Sequence, residues 1–401
     1  MIATIDLLSR VMMEFFDERL IMKVPTAGQV FFGDPANGSK TLFAPDANTV
    51  DIDIVKGNQK IAALIPRGMI ARPLGDLQKN LKTGRFSTFS RKFPLAEEEG
   101  DVECSKLFDR IPGESAYSSK TQFQRAQLKV VEIHMESVKR ILLMNEVLCF
   151  QSLLTGKMDA IIGTENPDLQ YDFCRDHTHL TDTPGTKWNQ AGSDPIGDMD
   201  KMADALWVHG HAMPDAAFMG SGAIEALIKN ATVKELADIK SYTFVRAGGD
   251  LPLPAGYKKY VDSGWLFRGR LTTYSGYELY LFNYNGTYES SAGVMTRYMP
   301  TDSVMICNTG ARCDRLFGPG ESLPMDTARR MLYMDYMGVD AGSPMIPLNI
   351  MNPGKIVDPA MFYCDLYKSK DEKRLTVRTQ EAPIFVTTQT DAFGVLHTVL
   401  L

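Results

Sequence analysis

Glu114-SAYSSKTQFQRAQLKVVEIHMESVKRILLMNEVLCFQSLL-Thr155 is the stretch whose reading decides the fold. It holds no glycine and no proline, while the rest of the chain is dense in both. Val131, Met135, Val138, Leu142, Cys149 and Leu153 recur at three- and four-residue spacings, which places them on one face of a helix. Ser118 or Ser119 can cap its start and Gly156 its end. At about 1.5 Å per residue, roughly 37 helical residues reach about 55 Å, well past an ordinary globular helix. Arg125, Lys129, Glu132, Glu136, Lys139, Arg140 and Glu146 interrupt the stretch, which excludes a membrane span. So long a soluble helix needs a wide sheet or a neighbouring subunit to cover it. The expectation is a large, flat, assembling subunit.

The flanks fit that expectation. Ile5, Leu8, Met12, Phe15 and Phe16 predict an amphipathic N-terminal helix, and with acidic Asp6 and Glu14 among them this stretch is not expected to be a secretory signal. Pro25 to Val50 is rich in Gly, Pro, Asn and Asp and reads as an extended arm that is ordered only against a partner surface. Gly57 to Gly113 reads as broken strands and turns with segregated charge. Lys79, Lys82, Arg85, Arg91 and Lys92 lie in a run without acids; Glu97, Glu98, Glu99, Asp101 and Glu103 lie in a run without bases. Excursions of this kind are often functional. The plain alternative is a solvated hairpin whose exposed charges contribute little.

Beyond the spine, Met158 to Leu180 reads as a hairpin of short strands. Asp194-Pro195 reads as an N-cap with proline at the first helical position. Helices are expected over 196–208, 221–229 and 233–240, with a buried strand at Ala217 to Met219. Paired strands follow over 264–284, with turns at Ser275-Gly276 and Asn285-Gly286, and another strand over 303–307. Arg374 to Val386 and Val395 to Leu400 are β-rich.

Composition excludes some functions. The chain has 401 residues, 44% hydrophobic and 23% charged, with a formal net charge of −6 and a pI of about 5.6. A protein gripping phosphates over its whole surface would be basic. The six cysteines are scattered without a C-x-x-C pair and read as reduced core thiols. The 22 methionines suit adaptable packing or surfaces that repack on assembly.

A search for chemistry finds little. Cys174, His177 and His179 could offer metal ligands, but their spacing matches no zinc module, so no metal is expected. His209 and His211 suit a helix C-terminus. Gly220-Ser221-Gly222 reads as a helix N-cap with no base nearby. Asp198 and Asp200 fall in a helix's exposed first turn, where acids are favoured. No phosphate-binding motif occurs, and no catalytic or cofactor-binding residue is nominated.

Four strings, in order, resemble the lambda-type major capsid proteins of tailed bacteriophages, the phage capsid protein E family. They are the spine ending Leu153-Leu-Thr-Gly-Lys157; Asp172-Phe-Cys-Arg175 with Trp188 and Asp194-Pro-Ile-Gly-Asp198; Tyr298 to Ile306 with Asn308-Thr-Gly-Ala-Arg312; and Arg374 to Ile384. Cys174 departs from the pattern, which often has a small residue there. The resemblance implies an α+β subunit with the Hong Kong 97-type fold. Its parts would be an N-terminal arm (1–56), an extended loop (57–113), a peripheral domain with spine helix and hairpin (114–194), an axial domain (195–320) and a return to the peripheral domain (321–401).

It also implies self-assembly into pentamers and hexamers of an icosahedral shell enclosing double-stranded DNA, with a scaffold and a portal as further partners and the presence of a decoration protein left open. Location would be the virion, with assembly in the host cytoplasm. The chain begins at Met1 without a long helical pre-segment, so a fused scaffold is not expected. Some capsids of this fold cross-link a lysine to an asparagine; Lys79 or Lys82 with Asn352 would be the candidates, but their polar, basic setting argues against it. The acidic and basic runs are expected to meet across subunits. A cellular nanocompartment shell of the same fold and, from another class, a soluble hydrolase are the alternatives.

Overall fold

The computed structural model describes residues 26–43, 49–55, 86–102, 122–159, 170–238, 243–244, 253–289, 293–318, 363–368 and 375–399. The amphipathic N-terminal stretch, Lys79, Lys82, Arg85, Glu103 and Asn352 lie outside the described residues.

At the centre is a seven-stranded mixed sheet. Its strands, in spatial order, are β7 (Thr181–Asp182), β19 (Phe393–His397), β14 (Ser303–Cys307), β8 (Ala216–Met219), β11 (Glu278–Asn283), β10 (Leu266–Thr272) and β9 (Thr243–Phe244). β8 runs parallel to β11 and antiparallel to β14. The two-residue period of a strand splits this sheet's side chains between two cores. Ala216, Phe218, Phe282, Met305, Cys307, Phe393 and Val395 enter an aromatic layer with Phe31, Phe150, Tyr260 and Trp265. Ala217, Met219, Leu279, Leu281, Val304, Ile306 and Leu396 enter the opposite layer. That layer is closed by helices α3 (Pro195–Ala205), α4 (Ser221–Lys229) and α5 (Ala231–Asp238). Burial on both faces explains why β8 and β14 read as continuous apolar runs rather than alternating ones.

The spine is α1 (Gln122–Thr155); residues 114–121, where its cap was expected, lie outside the described residues. Val138, Leu142, Cys149 and Leu153 are buried as predicted. The single-face picture fails further along, where 145–150 are all buried. Here the helix end is wedged between the aromatic layer and a second sheet. Phe150 stacks on Tyr284 with ring centroids 5.6 Å apart. Three strands, β16 (Tyr363–Lys368), β17 (Leu375–Glu381) and β4 (Ala96–Val102), form an antiparallel sheet against the helix. Gly100 lies so close to α1 that a Cβ there would be 2.3 Å from Ile133 Cγ2. β2 (Thr49–Val55) pairs with β3 (Phe86–Lys92). β5 (Lys157–Asp159) pairs with β6 (Gln170–Asp172), the expected hairpin after the spine.

Several readings need correction. Residues 26–43 do not wait for a partner subunit. Phe31 and Phe32 are buried in the subunit's own core, the Trp265 indole donates to the Ala27 carbonyl at 2.8 Å, and β1 (Thr41–Phe43) pairs parallel with β15 (Asp314–Phe317), which pairs in turn with β18 (Pro383–Val386). The aromatic pair decides this, because turn-rich composition hides two large apolar anchors. His177 to Leu180 is a one-turn helix, α2, capped by Asp176 rather than strand. Gly220 is the N-cap of α4, and Ser221 is its first helical residue. Asn285-Gly286 leads into β12 (Thr287–Glu289), which pairs with β13 (Met295–Arg297) instead of folding back on β11. Asp194 caps α3 as read, accepting from the Gly197 N–H at 3.0 Å with Pro195 at the first position.

Candidate functional site

The seam between α1 and its surroundings carries the unusual polar chemistry. Glu146 on α1 is fully buried. Its carboxyl accepts from the N–H groups of Gly28 at 2.6 Å and Gln29 at 3.3 Å. These are orphan donors at the start of a short 3-10 turn over Gln29–Phe31, so the side chain caps a segment 117 or 118 residues away. Burial pushes Glu146 up to about 8, against the backbone donors that favour its charge. Beside it, the Asn145 amide donates to Glu381 of β17 at 2.6 Å. Glu381 is also raised by burial to about 8. Further back along α1, buried His134 meets the Thr379 hydroxyl at 2.8 Å. One helix thus holds the N-terminal segment on one side and β17 on another, through polar contacts in a dry place.

The end of α1 is closed by Arg175. Its guanidinium donates to the carbonyls of Leu154 at 2.9 Å, Leu153 at 2.7 Å and Ser152 at 3.3 Å. A cation on the last carbonyls of a helix suits the macrodipole and supplies donors where the helix itself runs out, although Ser152 also accepts from the Gly156 N–H at 3.0 Å. Burial lowers the Arg175 pKa to about 10. Gly156 takes φ +64, and a Cβ there would stand 2.8 Å from Arg175 Cβ, so glycine is required twice over.

β4 presents the acidic run at the edge of its sheet. Glu97 accepts from the Gln380 amide at 2.6 Å and lies 3.8 Å from Arg378. Glu98 lies 3.5 Å from Arg140 of α1. Glu99 faces Arg378 in the strand register. Arg91 and Lys92 are in β3, opposite Val50 and Thr49. The sequence nominated these charges, but not the bonds that tie Glu97 and Glu98 to their own subunit; Arg140, 42 residues from Glu98, gives no local sign of the contact.

Asp198, expected to be exposed, instead accepts the Trp188 indole N–H at 2.9 Å, and burial raises its pKa. Asp200 does sit on the surface, taking the Ser275 N–H at 3.0 Å and its hydroxyl at 2.8 Å. The thiols of Cys149, Cys307 and Cys313 are free and buried, and burial pushes each upward, away from the reactive thiolate. Cys174 takes a left-handed backbone, φ 57, held by its N–H bond to Asp172 at 2.8 Å. Among the described residues, no helix is long and apolar enough to cross a membrane.

The profile of the family described as phage major capsid protein E matches residues 46–394. The chain belongs to this family. A crystal structure described as a capsid protein of a prophage from Escherichia coli CFT073 superposes with a TM-score of 0.52 at 18% identity, covering 79% of this chain and 80% of that one. A phage-related protein from Bordetella bronchiseptica RB50 gives a TM-score of 0.40 at 10% identity, covering 98% and 96% of the two chains. An encapsulin complex from Synechococcus elongatus PCC 7942 gives 0.39 at 11%, covering 89% and 85%. The comparison with curated proteins gives no match. This phage capsid protein therefore has the Hong Kong 97-type fold, mixes helix and sheet, and is a structural, shell-forming component of the virion. Its site is accordingly a set of surfaces and seams.

Proposed function

We propose that this capsid protein builds an icosahedral shell of pentamers and hexamers around double-stranded DNA, and that opposite charges on the extended loop join neighbours. The family match over 46–394 carries the shell reading. The charge reading rests on segregation: a basic run over Lys79 to Lys92 and an acidic run over Glu97 to Glu103. The contacts would involve Lys79, Lys82, Arg85, Arg91 and Lys92 on one side and Glu97, Glu98, Glu99, Asp101 and Glu103 on the other. Exposed pairs contribute only about 0.2–1 kcal/mol each, but symmetry repeats them across a shell. Since Glu97 and Glu98 also touch Gln380 and Arg140 of their own chain, they would bridge rather than pair singly.

Arm, loop, peripheral and axial parts would follow the boundaries 1–56, 57–113, 114–194, 195–320 and 321–401. A scaffold and a portal would be its other partners, with a decoration protein left open, and assembly would occur in the host cytoplasm. DNA would be held weakly and without sequence preference, because a net charge of −6 opposes strong phosphate affinity and a packaged genome must slide. No catalytic step would be needed, so denatured shells should run as one band near 44.6 kDa, without a Lys–Asn ladder.

Negative-stain microscopy of the expressed protein is the test. Closed shells or rings support the reading; compact monomers contradict it. Joint Lys82→Glu, Arg85→Glu and Arg91→Glu should impair shell assembly while circular dichroism and melting stay unchanged. Normal shell yield in that variant would sink the charge pairing but leave the shell assignment standing.

A further inference from the structure

Four of the six histidines fall in two short stretches, His177/His179 and His209/His211. The fold brings these stretches together, because α2 packs against the π-helical turn Leu206–Gly210 that prolongs α3. A π turn inserts a residue into a helix and is frequent at functional sites. Here it turns His209 onto His179, with ring centroids 3.8 Å apart and planes at 15°. Gly210 lets the turn settle, since a Cβ there would lie 2.0 Å from the Asp391 carbonyl oxygen. His179 Nδ1 is 2.8 Å from Asp176 Oδ2. One ligand atom each from Asp176, His179 and His209 lies within 4.8 Å of the others, and both imidazoles are exposed.

We propose that Asp176, His179 and His209 form a binding site for a divalent transition metal of the zinc class. Asp176 Oδ2 and His179 Nδ1, 2.8 Å apart, are spaced as two donors to one ion would be, and a bound ion would replace the hydrogen bond between them, leaving the imidazole proton on Nε2. Two imidazole nitrogens with a carboxylate select zinc, nickel or copper over magnesium or calcium, which prefer all-oxygen sites. Donors about 2.0–2.2 Å from a tetrahedral ion stand roughly 3.3–3.6 Å apart, so atoms as far apart as 4.8 Å must close by about 1.2–1.5 Å. The stacked rings must also turn about their soft terminal torsions to aim both nitrogens at the ion. This set differs from the Cys174, His177 and His179 grouping suggested by sequence order. Asp176 and His179 belong to α2 and its cap, but His209 arrives from the turn after α3, 30 residues on. A bound ion would tie the segment just past the spine's end to the helical layer on the far side of the central sheet.

The test is calorimetric titration of Zn²⁺ into the chelator-stripped full chain, with bound metal counted by mass spectrometry. About one zinc per subunit at micromolar affinity or tighter is expected, with a raised melting temperature. His179→Gln, His209→Gln and Asp176→Asn should each weaken binding at least about tenfold, and His177→Gln hardly at all. All these side chains are at or near the surface, so circular dichroism should match the unaltered protein. Only millimolar, non-stoichiometric binding by the unaltered chain, or equal affinity in His209→Gln, would overturn the site. Loss of binding in His177→Gln as well would also overturn it, since the ligand set would then be another.

Discussion

The central sheet and the three-stranded sheet on the spine are covered in opposite ways. The first has apolar side chains on both faces, from Phe218 and Phe282 to Met219 and Ile306. The second meets α1 across a seam that contains Glu381, Asn145, His134 and Thr379, and then ends in an acidic edge. Apolar burial is insensitive to solution conditions over the physiological range. A seam of buried carboxyls changes with proton activity and with the position of its neighbours. The subunit thus joins a fixed block to an adjustable attachment.

The largest effect expected from breaking this contrast comes from pH. Glu146 and Glu381 both titrate near 8 when folded, against 4.5 for an unperturbed carboxyl. For a raised folded pKa, the favourable contribution is complete below about 4.5 and is lost as pH rises through about 8. Each tenfold change in proton affinity between the folded and unfolded chain is about 1.4 kcal/mol, so the loss is on the order of several kcal/mol. Thermal melts should fall between pH 5 and 8.5, with faster amide exchange in β17 and 26–32 and little change in β8 and β14. Glu146→Gln and Glu381→Gln should flatten that slope. An unchanged slope in the double variant would show that the seam is not where protons act.

Substitutions sharpen the contrast further. Phe218→Ala should cost about 3–5 kcal/mol and melt the whole subunit, because the ring contacts Phe31, Tyr260, Trp265 and Phe282. Val138→Pro should cost roughly 3 kcal/mol or more by removing a donor and colliding with the carbonyl four residues back, giving insoluble or monomeric protein. Gly100→Ala should cost about 1–3 kcal/mol by pushing on Ile133, lifting β4 from α1 while the central sheet persists. Glu136→Gln, on the exposed side of α1, should stay within about 0.5 kcal/mol and still assemble. If urea unfolding and exchange report Phe218→Ala and Gly100→Ala as equally global, the two sheets are one cooperative unit.

Much of the frame was legible from local pattern. The spine, the Asp194-Pro195 start of α3 and the strands at 216–219 and 303–307 announce themselves within a few residues. Partnerships across long separations did not. Glu146 read as one more charge excluding a membrane, because nothing near it in sequence shows that Gly28 and Gln29 fold back onto it. The His179–His209 stack was equally hidden, since α2 looked like strand and the π turn has no sequence signature. Phe31 and Phe32 were the one overlooked local clue, two adjacent aromatics in a turn-rich stretch read as an arm.

Arg175 also has a mechanical meaning. A shell wall bears tension, and a helix pulled along its axis tends to fray first at an end, one hydrogen bond after another. Here three carbonyls of the last turn are gripped by one guanidinium, so the load is divided among bonds acting side by side. The next residue passes it on: the Asp176 N–H is bonded to Asp391 at 3.1 Å, beside the start of β19. Arg175 itself lies over the Phe393 ring, 5.9 Å from its centroid. Force arriving through the spine thus has a second route beside the Gly156 turn, into β19, the second strand of the seven-stranded sheet.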